Sequence, residues 1–206
     1  MKPGNNRSSL GIENTWRPGK PGQRPHTVAI DLGCGRRTQP GAIGVDNVAL
    51  PGVRVAARLD GHHLPFHGDT AHTVYALNVL EHLDDLPALM AEIWRVLAPG
   101  GRLVVEVPYF SSVSAFADPT HRRWFTFTTF EHFAAPPHRG WAANRHTWFG
   151  DAHFQIVRRR LRFGTAHGLL GIAWLANRWP AVYENFLAYW FPARALEVEL
   201  KRSAAS

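Results

Sequence analysis

The stretch AIDLGCGRRTQPGAIGVD, residues 29–46, carries the pattern that decides the fold. Its apolar opening ends in Asp31, a glycine pair follows at Gly33 and Gly35, and a second apolar run ends in Asp46. Short apolar runs bounded by turn residues are typical of buried strands, and glycine lets the backbone approach a ligand closely. In open α/β sheets ligands bind at the carboxyl ends of strands, so this stretch predicts a small-molecule site.

The rest of the chain continues the alternation of strands and helices. Five further strand-like runs follow, at residues 52–60, 72–78, 102–108, 154–163 and 195–202. Residues 79–98 carry apolar side chains at three- and four-residue steps, which predicts one long amphipathic helix that ends at Pro99-Gly100-Gly101. Strands that alternate with a helical crossover predict the α/β class with a mostly parallel sheet.

The link between the first two strands is unusually short. A parallel crossover normally takes roughly a dozen residues or more, and the segment from Gly35 to Asp46 cannot hold a full helix as well as its strand. We expect an irregular loop or a single helical turn over residues 36–42, with Arg36 and Arg37 exposed. One flank of the site would then be open, and the N-terminal arm could cover it.

Length and composition predict one domain with a short arm. With 206 residues of which 45% are hydrophobic, the chain can bury one core. Residues 1–25 are rich in Pro, Gly and Arg and are predicted to be a flexible arm, and residues 26–206 to be a single domain. The single cysteine and the absence of a signal peptide predict a cytoplasmic protein.

The charge favours anionic partners. The formal net charge is +7, which suits nucleic acid or phosphorylated metabolites, but no nucleic-acid motif is visible, so nucleic acid is an open alternative that we do not favour. The apolar segment 169–191 is interrupted by Arg178, Pro180 and Glu184, which argues against a transmembrane span and is compatible with core or with the interface of a homodimer. The 12 histidines show no zinc-type spacing, so no metal site is predicted.

A dinucleotide is not the favoured ligand of the glycine turn. The dinucleotide fingerprint has a third glycine where this chain has Thr38, and it has an acid about 20 residues further on. Here Asp46 follows Gly33 by only 13 positions. The lysine of a P-loop is missing as well, so a phosphate cradle is not predicted.

The chain resembles the class I S-adenosylmethionine-dependent methyltransferases, in particular the methyltransferase type 11 group, in the order of these motifs: DLGCG at 31–35, GVD at 44–46, LD at 59–60, LPF at 64–66, NVLEHL at 78–83 and LAPGG at 97–101. The resemblance covers roughly residues 27–108, with a weaker echo in DPTHRRWFT and in the closing strand. It implies a Rossmann-like sheet of about seven strands with an antiparallel C-terminal strand, here with a shortened first crossover, and S-adenosylmethionine as the cofactor.

The resemblance also implies which residues bind the cofactor: Asp31, Gly33, Cys34, Gly35, Asp46, Asp60, Gly61 and Asn78. Asp31 and the amides after it would hold the amino-acid end of the cofactor. Asp46 would accept hydrogen bonds from both ribose hydroxyls, Asp60 from the adenine amino group, and Asn78 would lie near the sulfonium. Cys34 is expected to be a small filler and not a nucleophile.

Residues 109–145 are predicted to form an insertion, a loop and helix on the acceptor side of the methyl group. His121 is the candidate general base, with Asp118 as its orienting partner. The candidate substrate-binding residues are Tyr109, Arg122, Arg123 and Trp124, with the two arginines suited to an anionic acceptor. Two roles stay open for Glu81 and His82: they could stabilise the start of the long helix, or they could belong to the pocket.

The sequence therefore predicts a methyltransferase that acts on a small-molecule, glycan or lipid-linked acceptor. Three alternatives stay open: a non-catalytic cofactor-binding partner, an RNA or protein methyltransferase, and a dehydrogenase-like protein. Residues 109–127 discriminate between the enzyme and the non-catalytic module, because a segment that closes off the methyl group would exclude transfer.

Overall fold

A seven-stranded sheet forms the centre of the protein. The computed structural model describes residues 28–60, 63–134, 154–165, 167 and 171–203. The strands are β1 Val28–Leu32, β2 Ala42–Asp46, β3 Val53–Ala56, β4 Ala71–Leu77, β5 Leu97–Pro108, β6 Phe154–Arg162 and β7 Ala195–Arg202. They lie in the order β3-β2-β1-β4-β5-β7-β6, and β7 runs antiparallel to both of its neighbours. The predicted Rossmann-like fold is confirmed, while the predicted arm and residues 135–145 of the insertion lie outside the described residues.

Strand β1 lies between β2 and β4 and is packed on both faces. Ile30 and Leu32 are fully buried on one face of the strand. Asp31, on the other face, is buried as well, as expected for a parallel sheet covered on both sides. The register pairs Asp31 with Gly44 of β2 and with Tyr75 of β4. The carboxyl ends of these three strands therefore meet at one edge of the sheet.

The short crossover from β1 to β2 contains turns and no helix, as expected. The N–H of Gln39 donates to Oδ2 of Asp31 at 2.7 Å, and the N–H of Gly35 donates to Oδ2 of Asp46 at 2.9 Å. Arg36 and Arg37 are both exposed, as predicted. The carboxylates at the two strand ends thus satisfy backbone N–H groups that a helix would have paired internally.

The predicted helix over residues 79–98 is shorter in the structure. A single 3-10 turn occupies Leu80–His82, and the α-helix α1 spans Leu86–Val96. The side chain of Asp85 accepts the N–H of Ala88 at 3.0 Å, so Asp85 is the N-cap that starts the helix. The end is also earlier than predicted, because Leu97 already belongs to β5.

The remaining helical segments are short. They are α2 Val113–Ala117, a 3-10 helix at Thr129–Phe133, α3 Ile172–Arg178, α4 Pro180–Val182 and a π-helical turn at Tyr183–Leu187. Among the described residues, no helix has the length and apolarity needed to cross a membrane. The late apolar segment is only partly core, because Tyr183 is buried whereas Trp174, Phe186 and Tyr189 are exposed.

Candidate functional site

A first cavity of about 450 Å³ lies at the carboxyl ends of β1, β2 and β4. Its lining residues are Gly33, Asp46, Asn47, Arg58, Leu59, Asp60, Asn78, Val79, His82 and Leu83. The volume falls in the range of pockets that hold drug-sized ligands. This is the edge of the sheet where the sequence predicts the site.

Gly33 shapes the floor of the first cavity. Its φ of +62° lies in the left-handed region that favours glycine. A Cβ at this position would come within 2.4 Å of Cγ2 of Val79, so no side chain fits. The backbone of the first turn and the residue after β4 are thus in direct contact across the cavity floor.

Two of the predicted aspartates face the first cavity. Asp46 accepts the N–H of Gly35 through Oδ2 and the N–H of Val48 through Oδ1, at 2.9 and 3.1 Å. Asp60 accepts the N–H of Asp84 through Oδ1 at 2.8 Å, which joins the end of the segment after β3 to the start of α1. Oδ1 of Asp60 also accepts the N–H of Asp85, at 3.3 Å. A lone pair on each Asp46 oxygen and those on Oδ2 of Asp60 are not used by these bonds, so both side chains can also accept from a ligand.

Asp31 differs from the other two aspartates because it does not line the cavity. It is only 3% exposed and lies beneath the turn, where it accepts the N–H of Gln39. Burial raises the pKa of its carboxyl to about 6, against the smaller lowering effect of that hydrogen bond. Cys34 is also buried, and burial raises the pKa of its thiol, which agrees with a packing role. Gly61 lies outside the described residues.

Asn78 stands at the end of β4 in a left-handed conformation, with φ of +53°. Asparagine tolerates this region better than other residues with a side chain, and such positions concentrate at functional sites. Its N–H donates to the carbonyl of Glu106 at 2.7 Å, which fixes the end of β4 against β5. Asn78 lines the first cavity, as predicted, and also a second one.

The second cavity has a volume of about 700 Å³ and adjoins the first. Its lining residues are Asn78, Glu81, His82, Glu106, Pro108, Ser114, Ala117, Asp118, Pro119, His121, Arg194 and Ala195. Asn78 and His82 belong to both linings. A ligand in one cavity can therefore meet a ligand in the other at these two residues.

His121 and Asp118 both line the second cavity, and the backbone N–H of His121 donates to the carbonyl of Asp118 at 3.2 Å. Their side chains are not hydrogen-bonded to each other, so the orienting contact expected from the sequence is not formed. Nδ1 of His121 lies 3.1 Å from the carbonyl of Ala115, and its Nε2 lies 3.9 Å from Oε1 of Glu81. Oδ1 of Asp118 instead accepts from the N–H and the hydroxyl of Thr120, at 2.8 and 2.6 Å. The orienting partner of His121 is the Ala115 carbonyl.

Glu81 belongs to the pocket and not to the start of α1. It is 1% exposed, and its Oε2 has no hydrogen-bond partner among the described residues. Burial raises the pKa of its carboxyl to about 7. Although the sequence predicted no metal site, the structure brings together three side chains of the metal-ligating type, Glu81, His82 and His121.

The four predicted substrate-binding residues do not line either cavity. Tyr109 is fully buried and its hydroxyl donates to Glu184 at 2.9 Å, so it belongs to the core. Arg122 pairs with Asp84, and Nε of Arg123 donates to the carbonyl of Leu83 at 2.9 Å.

Trp124 is exposed and stacks on Phe116. The geometry therefore gives these four residues structural roles and does not support the predicted acceptor contacts.

Sequence reasoning missed three polar residues of the second cavity: Glu106, Ser114 and Arg194. Glu106 lies at the end of β5, a position that the strand pattern could have singled out. Arg194 precedes β7 and reaches the cavity only through the sheet order, which has no local signal. With carboxylates at Glu81, Glu106 and Asp118 against one guanidinium, the lining is richer in acids than the sequence suggested.

The comparisons with known proteins agree with this architecture. Residues 38–105 match the family described as a methyltransferase domain. A 37.1 kDa transposon protein of Streptomyces fradiae is 33% identical over 114 residues, which are 44% of this chain and 33% of that protein. The trans-aconitate 2-methyltransferase of Deinococcus radiodurans is 29% identical over 102 residues, which are 42% of this chain and 40% of that protein. The chain thus matches well under half the length of these relatives.

Solved structures show the same fold. An S-adenosylmethionine-dependent methyltransferase of Archaeoglobus fulgidus superposes with a TM-score of 0.56 at 17% identity, over 86% of this chain and 87% of that one. One from Mesorhizobium loti gives 0.52 at 18% identity, over 85% and 90%. The resemblance to class I S-adenosylmethionine-dependent methyltransferases is confirmed for the fold, and residues 38–105 match a methyltransferase domain.

Proposed function

We propose that the protein transfers the methyl group of S-adenosylmethionine, bound in the first cavity, to a small-molecule acceptor bound in the second. The observation that carries the proposal is that the two cavities meet at Asn78 and His82. Transfer requires the acceptor and the methyl group to be in line and in contact, and a junction shared by the two cavities supports that arrangement.

The first cavity offers the groups that an adenosyl donor needs. The Asp46 carboxylate can accept from ribose hydroxyls, and the Asp60 carboxylate from an adenine amino group. The N–H groups of residues 33–35 already donate to the carbonyl of Val45 and to the carboxylate of Asp46. The amino-acid end of the donor would instead depend on Asp31 beneath the turn, whose negative charge favours the cationic amino group. Asn78 then lies toward the sulfur, at the boundary with the second cavity.

The reaction is a displacement at carbon in which the sulfur–methyl bond breaks as the acceptor–methyl bond forms. Positioning supplies most of the acceleration in such a step. A hydroxyl or amine acceptor must also lose a proton, and the candidate base for it is Nε2 of His121, which lines the second cavity. Its Nδ1 faces the Ala115 carbonyl, which fixes Nε2 as the nitrogen with the free lone pair.

The second cavity favours an uncharged or cationic acceptor over an anionic one. Three carboxyl groups and one guanidinium line it, and the two arginines expected to hold an anion are engaged outside it. The tricarboxylate of the Deinococcus radiodurans relative is therefore not carried over to this chain. A hydroxyl or amine on a small organic molecule fits the lining best.

The same geometry distinguishes an enzyme from the alternative functions. A cavity of about 700 Å³ beside the donor site favours an enzyme over a cofactor-binding module that does not transfer methyl groups. A macromolecular acceptor, a homodimer and a cytoplasmic location stay predictions from the sequence.

Calorimetry on the purified protein tests the donor site. We expect S-adenosylmethionine and S-adenosylhomocysteine to bind with a stoichiometry of one, and NAD not to bind. Binding of NAD without either sulfur nucleotide would contradict the proposal and favour a dehydrogenase-like protein. Labelled methyl donor with matched panels of amines, alcohols and carboxylates then identifies the acceptor class, and we expect no labelling of the carboxylates.

A further inference from the structure

We propose that Glu81, His82 and His121 bind one divalent transition-metal ion in the wall of the second cavity. One ligand atom from each side chain lies within 4.8 Å of the other two. Two imidazoles and one carboxylate form a common metal-ligand set that leaves positions open for an external molecule. The three residues come from the turn after β4 and from the segment after α2, so the fold and not the sequence spacing brings them together.

His121 is prepared as a ligand by its hydrogen bond to the backbone. Its Nδ1 lies 3.1 Å from the Ala115 carbonyl, which can only accept, so Nδ1 carries the proton. The lone pair of the neutral ring is then on Nε2, which faces Glu81 at 3.9 Å. A histidine that donates its other N–H to a carbonyl is the usual arrangement at a metal.

His82 is prepared in the same way through a hydroxyl. The Thr120 hydroxyl lies 2.6 Å from Oδ1 of Asp118 and 2.9 Å from Nδ1 of His82. Because an ionised carboxylate only accepts, the hydroxyl donates to Asp118 and accepts from Nδ1–H. The lone pair of His82 is therefore on Nε2, and a carboxylate–hydroxyl–histidine chain supports it.

Glu81 supplies the negative charge of the ligand set, and one of its carboxylate oxygens has no hydrogen-bond partner among the described residues. The side chain is buried, and Oε2 makes no hydrogen bond among the described residues. A buried polar atom without a partner is unfavourable by about 1–3 kcal/mol, and a bound cation would remove this penalty. The unpartnered oxygen is an observation independent of the histidine geometry, and it points to the same ligand.

The chemistry of the set selects the ion. Imidazole nitrogen favours zinc, iron, cobalt or nickel over magnesium or calcium, which prefer oxygen ligands. Ligands at about 2.0–2.2 Å from a tetrahedral ion lie about 3.4 Å apart. The present separations are 3.9 Å between Glu81 and His121 and at most 4.8 Å within the set. They therefore need a contraction of about 0.5–1.4 Å, which is within the reach of side-chain rotation.

An ion at this place would act on the acceptor of the proposed transfer, and this consequence alone rests on the proposed function. It would bind an acceptor hydroxyl, lower the pKa of that group and hold the oxygen next to the junction at Asn78 and His82. Nε2 of His121 would then be a ligand, and the proton of the bound hydroxyl would pass to solvent water and not to the imidazole.

The test uses the full-length protein after chelator treatment and dialysis. Titration with Co²⁺ should give visible absorption bands of a low-coordinate nitrogen and oxygen site, saturating at one ion per chain, and Zn²⁺ should displace it. His82→Ala, His121→Ala and Glu81→Gln should each weaken Co²⁺ binding by more than about 100-fold. Thr120→Val, which removes only the supporting hydroxyl, should weaken it by about 10-fold.

The matched control is His67→Ala, which removes an exposed histidine outside both cavity linings and should leave binding unchanged. Absence of Co²⁺ and Zn²⁺ binding, or binding unaffected by all four variants, would overturn the proposal. Circular dichroism of each variant separates misfolding from ligand loss, and Thr120→Ser should restore the affinity. S-adenosylhomocysteine binding to the metal-free protein is measured in parallel, so a failed metal site and a failed donor site are distinguishable.

Discussion

The first and second cavities are built in different ways from the same sheet. The first is made by strand ends and turns that lie between residues 31 and 83, and its geometry depends on backbone conformation and on two carboxylates. The second collects side chains from β5, from the segment 114–121 and from Arg194 next to β7. Donor binding should therefore respond to backbone changes, whereas turnover should respond to side-chain changes on the acceptor side.

The largest expected effect is on the donor cavity. Gly33→Ala places a Cβ 2.4 Å from Val79 in a residue with φ of +62°. We expect S-adenosylhomocysteine affinity to fall by more than about 100-fold, since a left-handed alanine alone is unfavourable by about 1–2 kcal/mol and the clash adds to it. Calorimetry measures the change.

Gly41→Ala is the matched control for this variant. Gly41 also has a positive φ, +77°, but its added Cβ would meet nothing within 4 Å. It should lose stability without a large loss of donor affinity. Equal losses of affinity in the two variants would show that strain in the turn, and not the close approach to Val79, controls the cavity.

The next effect is on the acceptor cavity alone. His121→Ala should lower the turnover number by about 100-fold or more and change donor affinity by less than about twofold, because His121 lines only the second cavity. Initial rates with labelled donor, together with calorimetry, give both quantities. A large loss of donor affinity would contradict the separation of the two cavities.

A pair of isosteric changes compares the two sides directly. Asp46→Asn should weaken donor binding by about 10-fold, because hydrogen bonds to a charged group are worth about 1.5–3 kcal/mol and asparagine keeps only part of that. Asp118→Asn should leave donor binding unchanged, because Asp118 lines the second cavity only. If both variants lost donor affinity equally, the assignment of donor and acceptor sides would be wrong.

The smallest effect concerns the buried Asp31. Burial raises the pKa of its carboxyl from 3.8 to about 6, so in the ligand-free protein its ionised form opposes folding. Stability from this group is present below pH 4 and is lost as pH rises through 6. Asp31→Asn should therefore raise the free energy of unfolding at pH 7 by about 1 kcal/mol, a Tm rise of about 2–4 °C.

The same shift predicts a pH dependence of donor binding. If the Asp31 carboxylate favours the donor ammonium, affinity should fall about 10-fold for each pH unit below 6, as the proton competes for the carboxylate. In Asp31→Asn this dependence should disappear. Calorimetry between pH 5 and 7.5 measures it, and an unchanged pH profile in the variant would remove Asp31 from donor binding.

The lining of the first cavity was predictable because its signals are local. Gly33 lies in the turn after β1 and Asp46 ends β2. Residues at the carboxyl ends of parallel strands line the ligand-binding edge of the sheet whatever the order of the strands. The short crossover was also predictable, since residues 33–41 are too few for the full helix of a usual parallel crossover. Asp31 was predicted to face the ligand, but the N–H of Gln39 from the short loop holds it below the turn.

The acceptor side was less predictable because its contacts are set by tertiary packing. Tyr109 follows β5 directly, yet the late helical segment brings Glu184 to its hydroxyl and draws it into the core. His82 and His121 are 39 positions apart in sequence, which no ligand-spacing pattern covers. The start of α1 was misplaced because the apolar spacing continues past Asp85, the residue that caps the helix.

A crystal structure with S-adenosylhomocysteine tests the central claim most directly. We expect the ribose hydroxyls to contact the Asp46 carboxylate and the adenine to lie near Asp60. The sulfur should lie at Asn78 and His82 and face the second cavity. A nucleoside bound elsewhere, or a sulfur turned away from Glu81 and His121, would contradict it.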